Sequence, residues 1–96
     1  MGPYGASLAD GSEYRGNYGL SKEQLKDFHR RRLRIIVKSK PDLIAIETIP
    51  ELTEALAIIE ILSEIGSTIP FWITFSCRNE SQIASGEVFA DVVREV

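Results

Sequence analysis

Cysteine is nearly missing from this chain of 96 residues: Cys77 is the only one. A single thiol excludes an internal disulfide and any cysteine-rich zinc cage built by the chain itself. Long apolar runs are also missing. No stretch reaches the length needed to cross a bilayer, and Met1 is followed by Gly-Pro-Tyr instead of a signal core. A myristoylation pattern needs Ser or Thr at the sixth position, where Ala6 stands. The Asn-Glu-Ser triplet at Asn79 matches a glycosylation acceptor, but without a secretory signal the match is read as chance, and the chain as cytoplasmic with no membrane partner.

Positive charge is in short supply too. A net charge of −3 argues against nucleic acid as a partner. The one dense basic run, "HRRRLR" from His29 to Arg34, would spread its arginines around a helix as a solvated face. No phosphate-cradling motif is present, because the early glycines neither follow the Gly-x-Gly-x-x-Gly spacing nor run directly into a helix. Nucleotide binding is therefore a poor reading.

What is present begins with an oddity. Gly2 to Gly19, "GPYGASLADGSEYRGNYG", holds five glycines and three tyrosines with no periodic apolar run. A loop this long in a small domain is usually functional or disordered. Tyr4, Tyr14, Tyr18 and Leu8-Ala9 are too apolar for disorder, so something should lie beneath it.

Regular elements follow. Ser21 and Gln24 form a capping box at the head of a helix. Leu25, Phe28, His29, Arg32, Leu33, Ile36 and Val37 recur at three- and four-residue steps as its buried face, and Pro41 closes the segment. "DLIAIET", Asp42 to Thr48, has the near-continuous apolar character of a parallel strand covered on both sides. A second helix carries Leu52, Ala55, Leu56, Ile59 and Leu62 as its stripe, with Gly66 as its stop. "PFWITFS", Pro70 to Ser76, reads as a second strand. A third helix is expected from about Gly86, with Ser85 as N-cap and Val88, Phe89, Val92, Val93 and Val96 along it.

The strands start 29 positions apart, at Asp42 and Phe71, with a helix between them. This is a βαβ unit, and the class is α/β with a parallel sheet. Two strands are too few for such a sheet, so it needs neighbours on both edges. In α/β folds ligands bind at the carboxyl ends of the strands, where Glu47 and Ser76 would stand, and the opening loop would roof a site shared with them.

Glu47 is the strongest candidate, since a carboxylate ending an apolar strand is costly unless partnered. Its role would be recognition of a substrate cation, or acid–base work if its pKa is raised; the structural alternative is an ion pair with an arginine of the preceding helix. Thr48, Thr74 and Ser76 offer hydroxyls at the same edge. Tyr4, Tyr14 and Tyr18 either line a pocket or anchor the loop. Glu47, Thr48, Ser76 and Tyr4 make up the candidate substrate-binding set. Cys77 is read as a buried, small hydrophobe before a nucleophile, and His29 as a hydrogen-bonded structural histidine.

In that order and spacing, "GPYGASLADGSEYRGNYG", "LKDFHRRRL", "PDLIAIETIP" and "FWITFSC" resemble consecutive segments of homocysteine S-methyltransferases. The departures are small: Ser7 stands where an aromatic is frequent, and Glu51 where Asn is usual. The resemblance implies a (β/α)8 TIM barrel that moves a methyl group from S-methylmethionine or S-adenosylmethionine to homocysteine, forming methionine. Such a barrel needs ~250 residues or more. Residues 1–96 would be a partial homocysteine-binding barrel domain, from the end of unit 3 through unit 5, incomplete on its own.

The resemblance also implies zinc in the complete enzyme, bound by one cysteine after the sixth strand and an adjacent pair after the eighth. Cys77 follows the fifth strand and matches none of them, so the chain alone is expected to be inactive. Glu47 sits where related barrels place a carboxylate for the substrate's amino group. Two alternatives stand beside this reading: a related barrel using betaine or a folate as donor, and a non-catalytic truncated paralogue that binds a partner chain.

Overall fold

The computed structural model describes residues 1–96. Ser21 accepts the backbone N–H of Gln24, whose side chain accepts that of Ser21, and this closed box starts helix α1, Lys22–Lys38. Strand β1 is Ile44–Ile49, helix α2 is Leu52–Ile65, strand β2 is Phe71–Phe75 and helix α3 is Phe89–Glu95. The opening segment holds two short 3₁₀ turns, Tyr4–Leu8 and Ser12–Tyr14. No helix is long and apolar enough to cross a membrane.

β1 and β2 pair in parallel, as the βαβ spacing requires. The core lies between this sheet and the two long helices: Leu33, Ile44, Ile46, Ile49, Ala55, Ile58, Ile61 and Leu62 are all buried there. α2 buries Ala55, Ala57, Ile58, Ile61 and Leu62, whereas Leu52, Leu56 and Ile59 of the expected stripe are only half-buried. The helix has two packed sides, sheet and α1, so its buried surface is rotated and wider than one stripe. Gly66 ends α2 in the left-handed region at φ 74°, as its place suggested.

Two further expectations need correction. α3 begins at Phe89 with Val88 at the N-cap and no side-chain cap; Ser85 spends its hydroxyl on Glu87, and Gly86 sits at φ 103°, outside helical space. Arg32 does not join the buried face of α1 but lies exposed over the Phe28 ring, 5.1 Å from its centroid.

The edges of the sheet are unlike. On the edge of β1 away from β2, the Met1 ammonium donates to Ala45 O and Glu47 N–H donates to Met1 O at 2.9 Å. One residue bracketed by positions 45 and 47 in this way follows the hydrogen-bond pattern of a parallel ladder. Beside β2, a mostly apolar groove of about 510 Å³ is lined by Ile59, Phe71, Trp72, Ile73, Phe75, Phe89, Val93 and Val96, with Thr74 its one polar residue.

α1 and α2 are also joined by charge. Lys26, 8% exposed, donates to Glu64 and lies 3.7 Å from Glu60, while Lys22 donates to Glu60 at 2.9 Å. The lysine contacts hold both carboxyls below their usual 4.5, and the bond to Glu64 raises Lys26 above its usual 10.5. Depressed carboxylates stabilise the fold above pH 4.5 and lose that contribution as pH falls through their folded values. A raised lysine does so below pH 10.5 and loses it as pH climbs through its folded value. Melting temperature followed by circular dichroism should therefore drop at both extremes, and Lys26→Met should shrink both limbs. Limbs unchanged by that substitution would place the pH dependence elsewhere.

Candidate functional site

The site begins with a bulge. Ile46 pairs with Ile73 and Ile49 with Phe75, so Glu47 and Thr48 together oppose the single residue Thr74. In a regular strand Thr48 would follow Ile44 and Ile46 into the core. The extra residue shifts the phase, so Ile49 takes the core place and Glu47 and Thr48 both stay half-buried, off the core. The cost falls on Thr48, whose φ of 64° is strained for a β-branched residue. Strain of this kind costs roughly 1–3 kcal/mol and clusters at functional sites.

Thr74 completes the bulge. Its hydroxyl accepts the free N–H of Thr48 at 2.9 Å and donates to Glu47 Oε2 at 2.6 Å. Trp72 Nε1–H donates to Glu47 Oε1 at 2.6 Å, so each carboxylate oxygen has one neutral donor. These two bonds, Thr74 first and Trp72 second, hold the Glu47 carboxyl below its usual 4.5. The group is ionised at neutral pH, which suits recognition of a cation and not proton transfer. No arginine of α1 pairs with it; the structural alternative gives way to Trp72 and Thr74.

Over this floor lies the opening loop. A cleft of about 460 Å³ has Glu47 and Thr48 on one side and Met1, Gly2, Pro3, Ala6, Glu13 and Tyr14 on the other. Its lining carries two carboxylates and no Lys or Arg side chain. Glu13 Oε2 is out of contact with solvent and has no hydrogen-bond partner. An unpaired buried carboxylate oxygen is costly, and a ligand donor would relieve it.

The structure brings Glu47 and Thr48 together at the cleft but not the other two candidates. Ser76 donates to Glu13 O at 2.8 Å, fastening the loop to the end of β2. Tyr4 does not line the cleft: its ring packs edge-on against Tyr18 and Phe28, at 5.1 and 5.0 Å between centroids. It anchors the loop. Cys77 is exposed and not buried as expected, because it follows the last residue of β2 into a polar turn. His29 is fully buried, with Nε2 2.7 Å from Glu54 Oε2, in keeping with a structural role. No three His, Cys, Asp or Glu side chains converge where a metal ion could be held, so these residues do not form the zinc site that the resemblance implies for a complete enzyme.

Sequence reasoning missed Glu13, Glu51, Glu54 and Trp72. Glu54 is fully buried in α2, and Glu51, at its N-cap position, is 7% exposed. Burial raises the Glu51 carboxyl above its usual 4.5, and the nearby charges of Glu54 and Glu87 add to the rise. The available signal was composition: a loop rich in backbone N–H groups and tyrosine hydroxyls needs acceptors beneath it.

The segment that carries this bulge and its glycine-rich roof has relatives among known proteins. A family model described as homocysteine S-methyltransferase covers residues 1–96. Homocysteine S-methyltransferase 1 of Zea mays is 52% identical over 96 residues, which are 98% of this chain and 30% of that protein. Homocysteine S-methyltransferase YbgG of Bacillus subtilis (strain 168) is 50% identical over 91 residues, 95% of this chain and 29% of that protein. The metallated form of the homocysteine methyltransferase MmuM from Escherichia coli superposes with a TM-score of 0.91 at 40% identity, covering 98% of this chain and 32% of that one. The chain thus spans about 30% of the length of the curated relatives it matches. With every residue from Met1 to Val96 inside the match, the chain belongs to the homocysteine S-methyltransferase family.

Proposed function

We propose that this chain forms the homocysteine-binding wall of a (β/α)8 methyltransferase barrel, running from the end of unit 3 through unit 5. The observation that carries the reading is the Glu47 carboxylate, ionised and oriented by Trp72 and Thr74 at the carboxyl end of a parallel sheet. It would accept the substrate's ammonium group. Thr48 shapes the floor beside it, while Ser76 and Tyr4 act through the loop they hold. Two edge features support the barrel. Met1 pairs with β1 as a third strand would, and the apolar groove beside β2 has the lining that a sixth strand and its neighbours would cover.

In the complete protein the reaction joins the methyl carbon to the homocysteine sulfur, whose thiol proton is released to solvent. The donor's sulfur–methyl bond breaks, and its electron pair remains on the donor sulfur, which leaves as a neutral thioether when the donor is a sulfonium. Activation of the thiol would come from zinc held by residues outside this segment. This chain's part is to fix the amino acid end of homocysteine.

The test is a chimaera in which these 96 residues replace the matching segment of the maize relative. Methionine should form from homocysteine with S-methylmethionine or S-adenosylmethionine, and not with betaine or a methylated folate. A folded, zinc-loaded chimaera that binds homocysteine but turns over no donor would favour a non-catalytic paralogue.

A further inference from the structure

The loop that walls the cleft has little core of its own: from Gly2 to Tyr18 only Pro3, Gly5 and Ser12 are buried. Its position is set by polar pins, and two of them come from the start of α2. Glu54 Oε2 accepts the N–H of Tyr4 at 2.6 Å, and Glu54 Oε1 accepts the Tyr18 hydroxyl at 3.3 Å. The Tyr18 oxygen in turn accepts the N–H of Gly5 at 3.1 Å. At the other end of the loop, Glu51 Oε2 accepts the N–H of Asn17 at 2.6 Å.

We propose that Glu51 and Glu54 are positioning residues that hold the roof of the cleft in its ligand-ready place. This rests on the reading of the cleft as the homocysteine site. Of the loop side chains at the cleft, Ala6, Glu13 and Tyr14 lie between the pinned points at Tyr4-Gly5 and Asn17-Tyr18, and Pro3 directly precedes the first of them. The pins follow the floor closely along the chain: Glu47 and Thr48 stand in the last half of β1, Glu51 holds the N-cap position of α2 two residues after the strand ends at Ile49, and Glu54 is in the first turn of α2. Roof and floor are therefore referred to one piece of backbone.

The contacts separate this role from general packing. α1 and α2 are held by apolar side chains and by Lys22 and Lys26 with Glu60 and Glu64. Of the partners of Glu54, only His29 belongs to α1; Tyr4 and Tyr18 belong to the loop. His29 Nδ1 is buried without a partner, so the histidine has a single polar contact, and that contact fixes the carboxylate. Glu51 has no partner on α1 at all; its oxygen serves the Asn17 N–H.

Three substitutions in the chimaera test the proposal. Tyr18→Phe keeps the ring against Tyr4 but removes the hydroxyl between Gly5 and Glu54. Glu51→Ala removes the pin at Asn17, while Glu51→Gln keeps an acceptor oxygen there. Tyr18→Phe and Glu51→Ala should each raise the dissociation constant for homocysteine by about five- to tenfold, with kcat changed less than about twofold. Glu51→Gln should restore most of the affinity. Amide exchange should quicken at Gly5 and Asn17 and not at Leu33 or Ile58. A lowered melting temperature with unchanged homocysteine affinity would overturn the proposal, as would a fall in kcat alone. If the pins act as stated but Glu47→Gln leaves affinity intact, it is the assignment of Glu47 that fails.

Discussion

Glu47→Gln is expected to weaken homocysteine binding by one to two orders of magnitude in the chimaera. Gln keeps the size of the side chain and removes the charge. It also keeps the local network, because its carbonyl can accept from Trp72 while the Thr74 hydroxyl reverses to accept from its amide. Thr74 retains a lone pair for the Thr48 N–H, so the bulge survives. What is lost is the charge-assisted bond to the ammonium, about 1.5–3 kcal/mol, and that range corresponds to the stated loss of affinity. Melting temperature and zinc content should stay near the parent's, since Glu47 has no charged side-chain partner to abandon. Titration with homocysteine, zinc analysis and a melt make the check. Unchanged affinity in a folded, zinc-loaded variant would remove Glu47 from the ammonium site.

Glu47 was legible in the sequence for a physical reason: a charge at the end of an apolar strand breaks a pattern that burial enforces. The elements around it were legible too. Period and cap chemistry are local, so Ser21 with Gln24, the run from Ile44, and Gly66 could each be read without knowing their neighbours. The strands' parallel pairing followed from the length of the connection between them.

The bulge was not legible, because it depends on how Thr74 meets Glu47 and Thr48 across the sheet. Nothing in "IAIETI" marks the point where alternation slips. Glu51 and Glu54 were hidden differently. A carboxylate at the start of a helix is favoured by the helix dipole and ordinarily faces water, so neither stood out as an acceptor for a distant loop. Ser85 misled for a related reason: its hydroxyl has a nearer partner in Glu87 than any helix N–H. Ser85 apart, each failure is of one kind, a side chain whose partner lies far along the chain or on another element.

Gly5→Ala is expected to cost more stability than any other single methyl added to a glycine of this chain. A Cβ at Gly5 would lie 2.6 Å from Glu13 N, 2.7 Å from Ser12 C and 2.7 Å from the Tyr18 hydroxyl. Two of those atoms are backbone, so no rotamer change makes room. Overpacking of this kind costs about 1–3 kcal/mol, and loss of the bond from Gly5 N–H to Tyr18 adds about 1 kcal/mol. Gly66 offers the contrast. Nothing lies within 4 Å of a Cβ there, and only its φ of 74° resists substitution, so Gly66→Ala should cost about 1 kcal/mol. Urea unfolding of the two variants in the chimaera should separate them by roughly 1–3 kcal/mol, with Gly5→Ala the weaker fold. Because the displaced atoms belong to Ser12 and Glu13, the same methyl pushes on the cleft wall, and homocysteine affinity should fall in Gly5→Ala but not in Gly66→Ala. Equal stability losses would mean that the 3₁₀ turn at Ser12–Tyr14 yields readily, and that the roof is not held where the contacts of Gly5 place it.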